Sequence, residues 1–164
     1  MKDAMKADHV DTIIAQWALQ RPELDCSPMG VIGRLGRAKQ IITPKLDEVF
    51  KQNGLSNIEF DILASLRRAG KPVTPTDLYQ TLMLSSGAMS TRVDGLVKQG
   101  LVIRQASKTD RRSCLVTLTE EGKSLIDKAI EQHVENERQI LAVLSEEEQV
   151  KLAGLLRKWL AANE

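Results

Sequence analysis

LSSGAMSTRVDGLVKQGLVIRQASKTDRRSCLVTLTEEG, residues 84–122, changes its hydrophobic period twice, and the order of those changes decides the fold. Over 85–100 the apolar residues Met89, Val93, Leu96 and Val97 recur at helical spacing and make one stripe. Ser85 and Ser86 stand where a helix N-terminus wants hydroxyl caps, and Gly100 stands where the helix stops. LVIRQA and SCLVTL then read as two short strands, β-branched and alternating, joined by the charged loop 107–112. Thr119, Glu120 and Glu121 open a further helix.

Working upstream, Ser56 and Glu59 form a capping-box pair for a helix that Gly70 ends. Thr74 caps a short helix with Pro75 at its first position and Asp77 near its positive end, finishing near Leu84. The order over 56–118 is therefore helix, short helix, helix, strand, basic loop, strand. That order predicts a mainly α chain with a small β-wing, a winged helix–turn–helix. Before it, Val10, Ile13, Ile14 and Trp17 make a short amphipathic helix. Ser27 caps a longer one with Pro28 at its first position, carrying Val31, Leu35, Ala38, Ile42, Leu46 and Val49 up to Gly54. After it, one helix runs from Thr119 to about Leu144, and the Ser145/Glu148 capping box starts a last helix ending near Ala162. The chain divides into N-terminal helices (1–54), a winged lobe (55–118) and C-terminal helices (119–164), read as one intertwined domain.

The whole chain of 164 residues has a net charge of only +1, which taken alone argues against a nucleic-acid partner. Segment by segment the reading reverses. Residues 85–112 carry six Lys and Arg against two acids, a net +4, whereas residues 119–164 carry ten acids against six bases, a net −4. The basic block coincides with the third helix and the loop of the winged lobe. Five aromatic residues in all disfavour a base-stacking sheet. No apolar run reaches the ~20 residues of a membrane span, and MKDAMKADHVD places charges where a leader would be apolar, so a cytoplasmic protein is expected. Cys26 and Cys114 fall in no CxxC pattern, so neither a zinc site nor any other metal or cofactor is expected. His9 and His133 sit on charged helical stretches without a catalytic constellation and read as surface residues of a protein that is not an enzyme.

Chemistry assigns the DNA contacts. Small hydroxyl residues Ser85, Ser86, Ser90 and Thr91 let the helix backbone come close to phosphates and base edges, and the helix N-terminus attracts phosphate. Arg92, on the shoulder of the apolar stripe, either reaches a guanine edge or points to a cavity behind the helix. Lys108, Arg111 and Arg112 form a wing suited to the minor groove, with Asp110 placed to hold one Arg in orientation.

TDRRSCLVTLTEEG (109–122) resembles the wing signature of the MarR family of bacterial transcription regulators, and LSSGAMSTRVDGLVKQGLVIR (84–104) resembles that family's recognition helix and first wing strand. WALQRPELD, LSNIEFDILASLRRAG and EQHVENERQIL are similar to the PecS-like, urate-responsive branch, so the resemblance extends from about Trp17 to the last helix. It implies a homodimer whose N- and C-terminal helices intertwine, binding double-stranded DNA at a pseudo-palindromic operator as a repressor released by a small anionic aromatic ligand such as urate or a phenolic compound. It further implies ligand contacts at Trp17, Asp61 and Arg92, and coupling of ligand to DNA through Asp77 and Arg104. Two alternatives stand beside it: a redox-sensing regulator acting through the Cys26 thiol, and a helical protein-interaction module that does not bind DNA.

Overall fold

The computed structural model describes residues 6–82, 86–106 and 114–164. Its order is α1 (His9–Gln20), α2 (Ser27–Gln52), α3 (Asn57–Ala69), α4 (Pro75–Leu82), α5 (Ser86–Lys98), β1 (Val102–Ala106), β2 (Cys114–Leu118), α6 (Glu120–Leu141) and α7 (Glu146–Leu160). This is the expected helical fold with a two-stranded antiparallel sheet. The backbone divides into two compact units, 1–45 and 46–164.

In the first unit, Asp8 caps α1 in a capping box with Asp11. Arg34 of α2 then binds both carboxylates, at 2.8 Å from Asp8 and 2.7 Å from Asp11. Val10 is the buried residue of α1, and it lies where α2 carries Gly33. The stripe on α2 is real but largely uncovered in this unit: Val31, Ile32, Leu35 and Ile41 are exposed. Ser27 does not cap α2 as expected; it is the first helical residue, and its hydroxyl donates back to Asp25, which also accepts the Ser27 N–H.

The second unit contains the main core. Ser56 and Glu59 close the predicted capping box of α3, and Gly70 ends that helix at φ 61°, a left-handed turn that a residue with a Cβ would resist. Thr74 and Asp77 repeat the reciprocal cap at α4. One face of α3 (Phe60, Ile62, Leu63, Leu66) packs with Leu78, Met89, Val93, Leu96, Val102, Val116 and Ile126. The hairpin pairs Val102 with Leu118 and Ala106 with Cys114, and Val73 adds a bridge to Val116 on the other edge of β2. Arg67 grips Asp127 with two hydrogen bonds and ties α3 to α6.

Two expectations need correction. The helix that opens after Thr119 stops at Leu141, because the chain must turn through Leu144 to set Ser145 in the extended conformation that caps α7. His133 is not a surface residue: its side chain is only 14% exposed, and its ring packs on Phe50 and Phe60 with centroids 5.4 and 5.0 Å away. Nε2 meets Glu137, whereas Nδ1 is buried without a hydrogen-bond partner.

Candidate nucleic-acid interface

The local reasons for α5 set what it can present. Met89, Val93 and Leu96 are fully buried, which fixes the rotation of the helix about its own axis. At ~100° per residue, Thr91 and Lys98 then point almost directly away from the core, with Ser90 and Asp94 to one side and Arg92 on the opposite shoulder. Ser90, Thr91, Arg92, Asp94 and Lys98 are all exposed. The Thr91 hydroxyl donates to the Gly87 carbonyl at 3.2 Å and so lies close along the helix surface. Ser86 begins α5; its side chain, with Ser85, Lys108, Asp110, Arg111 and Arg112, lies outside the described residues.

Arg92 lies within electrostatic reach of Glu59 on α3. Its charge acts on Glu59, whose carboxyl is pushed up by burial but held below its ordinary range overall by bonds from Ser56, a bond from Gln99 and the Arg92 charge. Asp61 lies two residues on, roughly 200° around α3. Partial burial raises its pKa, against the opposing charges of Arg68 and His133. The electrostatic partners of Arg92 and Asp61 are thus different groups. Trp17, on α1 of the other unit, is 41% exposed.

Arg104, one of the two residues assigned to coupling, makes an ion pair with Asp94 of α5 at 2.8 Å. Asp77 accepts from the Thr74 hydroxyl and N–H at the start of α4. Sequence reading counted Asp94 only as an acid inside a basic block. Its position four residues after Ser90, on the outward side of the helix, was the available signal.

A cavity of about 300 Å³ opens beside the α3 C-terminus and α4, lined by Ser65, Arg68, Ala69, Val73, Asp77 and Leu78. Arg68 donates to the Ser65 hydroxyl there. Cys26 is buried and Cys114 half-buried, both as free thiols. Among the described residues no cluster of His, Cys, Asp and Glu has the geometry of a metal site, and no helix is long and apolar enough to cross a membrane.

A family model for the MarR family matches residues 53–113. The chain is 45% identical over 149 residues to the HTH-type transcriptional regulator PecS of Dickeya dadantii, covering 90% of each chain. It is 31% identical to the transcriptional regulator MhqR of Bacillus subtilis, over 76% of this chain and 85% of that one. Among solved structures, a mutant of MarR from E. coli complexed with operator DNA superimposes with a TM-score of 0.70 and 26% identity, over 94% of this chain and 99% of that one. AbsC from Streptomyces coelicolor has the same fold, with a TM-score of 0.76 at 23% identity, over 85% of this chain and 95% of that one.

Proposed function

The chain belongs to the MarR family of DNA-binding transcription regulators, on its PecS-like side, and from that membership we propose that it represses transcription as a homodimer on a pseudo-palindromic operator. In this reading α5 enters the major groove and the wing loop 107–112 reaches the adjacent minor groove. The observation that carries it is the division of α5: an apolar side locked into the core, and an outward side of Ser90, Thr91 and Lys98 within a segment of net +4. Half-sites about one helical turn apart follow from a two-fold dimer. The protein-interaction alternative lacks a reason for that charge to sit on this helix and loop. The thiol alternative is disfavoured by the burial of Cys26.

A small anionic aromatic effector, urate or a phenolic compound, releases the operator. The resemblance of WALQRPELD, LSNIEFDILASLRRAG and EQHVENERQIL to the urate-responsive branch supports this, as does the availability of Arg92 as a cation on the DNA-binding helix itself. Trp17, Asp61 and Arg92 are the residues assigned to the effector, with Asp77 and Arg104 assigned to coupling. The test is footprinting on DNA upstream of the protein's own gene, with urate titrated while Trp17 fluorescence is followed. Protection of a two-fold site, lost as urate is added, is the expected result. Binding that ignores salt refutes the DNA reading, and binding that persists with no fluorescence change refutes urate.

A further inference from the structure

An acidic residue on the outward side of a DNA-reading helix is a physical oddity, because phosphates repel it. Asp94 is such a residue, and it lies between Ser90 and Lys98 on the side of α5 turned away from the core. Its carboxylate is occupied: Oδ1 accepts from an Arg104 terminal nitrogen at 2.8 Å, and the other terminal nitrogen of Arg104 lies 4.0 Å from the Cys114 sulfur. Arg104 is on β1, facing Val116 in the register, and Cys114 begins β2. One guanidinium therefore touches the recognition helix and both strands of the wing. Arg104 is the less exposed partner, 31% against 56% for Asp94, so the fork is held against the hairpin while the carboxylate reaches down to it from the helix.

We propose that Asp94 is a positioning residue for DNA recognition, which holds Arg104 and through it fixes the wing in one orientation relative to α5. The pair neutralises the acid that DNA would repel, and it ties β1 and the first residue of β2 to α5. Arg supplies the planar fork this needs, where a Lys would supply only a point charge. The inference rests on the DNA-binding reading above.

The sign of one substitution separates this from an ordinary surface acid. Asp94→Asn removes a negative charge from a DNA-facing side, so simple electrostatics demands tighter binding. Positioning demands weaker binding. The assay is fluorescence-anisotropy titration of the full chain with a duplex from upstream of its own gene, across a salt series, with an unrelated duplex of equal length and an unfolding midpoint for each variant. For Asp94→Asn, affinity is expected to fall about fivefold or more, the energy scale of a good ion pair. The slope of log affinity against log salt is expected to shrink by about one phosphate contact, and the midpoint to stay unchanged. Arg104→Lys should show the same loss, and Asp94→Glu should recover most of the affinity; if Asp94→Asn fails to fold, the Lys variant carries the same test. Binding equal to or tighter than wild type overturns the proposal, as does weaker binding with an unaltered salt slope. A wild-type chain that does not bind the duplex at all overturns the DNA-binding reading, and this inference with it.

Discussion

Among the glycines, Gly122 is the one where an added methyl meets backbone most closely, so Gly122→Ala is expected to destabilise the fold. Gly122 lies in the first turn of α6, where a Cβ would stand 1.9 Å from the Leu101 carbonyl oxygen and 2.8 Å from its carbon. A normal carbon–oxygen contact begins at about 3.3 Å, so backbone must retreat by roughly 1.4 Å. Neither side is free to do so. The Leu101 N–H is bonded to the Leu96 carbonyl, the Leu101 carbonyl accepts the Thr119 N–H at 3.1 Å, and the Thr119 hydroxyl accepts the Gly122 N–H at 3.0 Å. Overpacking costs about 1–3 kcal/mol, and losing the two backbone bonds of Leu101 costs about 1 kcal/mol each. The opposing gain in helix propensity is about 1 kcal/mol. The net loss is about 2–4 kcal/mol, which for a chain of this size lowers the thermal midpoint by about 4–16 °C. Urea and thermal unfolding at one fixed protein concentration measure it, because any dimer makes the midpoint concentration-dependent. An alanine variant as stable as wild type refutes the reasoning, since it would mean that the crossing of the α5–β1 turn over α6 is loose.

Arg111→Ala and Arg112→Ala each weaken DNA binding across sequences by losing a phosphate contact and lower the salt slope by about one; a gel-shift titration in which both bind like wild type removes the wing from the interface. Asp61→Asn raises the unfolding midpoint at pH 7. The Asp61 pKa is raised in the folded chain, so the ionised group costs stability above that pKa, and the cost fades as pH falls toward its ordinary value. The advantage of the variant should therefore shrink in scans at successively lower pH, and an advantage that grows on acidification would contradict it. His133→Phe removes the unpartnered buried Nδ1 and keeps a ring against Phe50 and Phe60. A gain of about 1 kcal/mol in urea unfolding is expected from a desolvation penalty of that order, and a loss would show that the imidazole is satisfied in solution.

What could be read from the sequence was whatever depends on neighbours within a turn or two. The Ser56/Glu59 and Ser145/Glu148 boxes are contacts three residues apart, so the residue types alone specify them. The strands 102–106 and 114–118 followed from alternation, and the α5 stripe from its period. What could not be read depends on partners far along the chain. His133 is flanked by Gln132 and followed by Glu135 and Glu137, a charged context that hides its burial; only the arrival of Phe50 and Phe60 from α2 and α3 makes it an interior group. The Asp94–Arg104 pair spans ten residues across a turn, so the outward position of Asp94 on α5 hints at a partner without naming it.

The helix stripes outside the winged lobe carry a consequence of the same kind. Val31, Ile32 and Leu35 on α2 and Leu152, Leu155 and Trp159 on α7 satisfy helical periodicity, yet each set is exposed to solvent in the single chain. Periodicity states which residues share a side of a helix; it does not state what covers that side. Apolar stripes this continuous are unfavourable in water and mark an association surface. The homodimer proposed above gives each of these stripes an apolar partner, with α2 and α7 taken separately. The −4 of residues 119–164 falls on α6 and α7, while the +4 of residues 85–112 falls on the segment proposed to meet phosphate. The overall +1 is what remains when the charges of those two segments cancel.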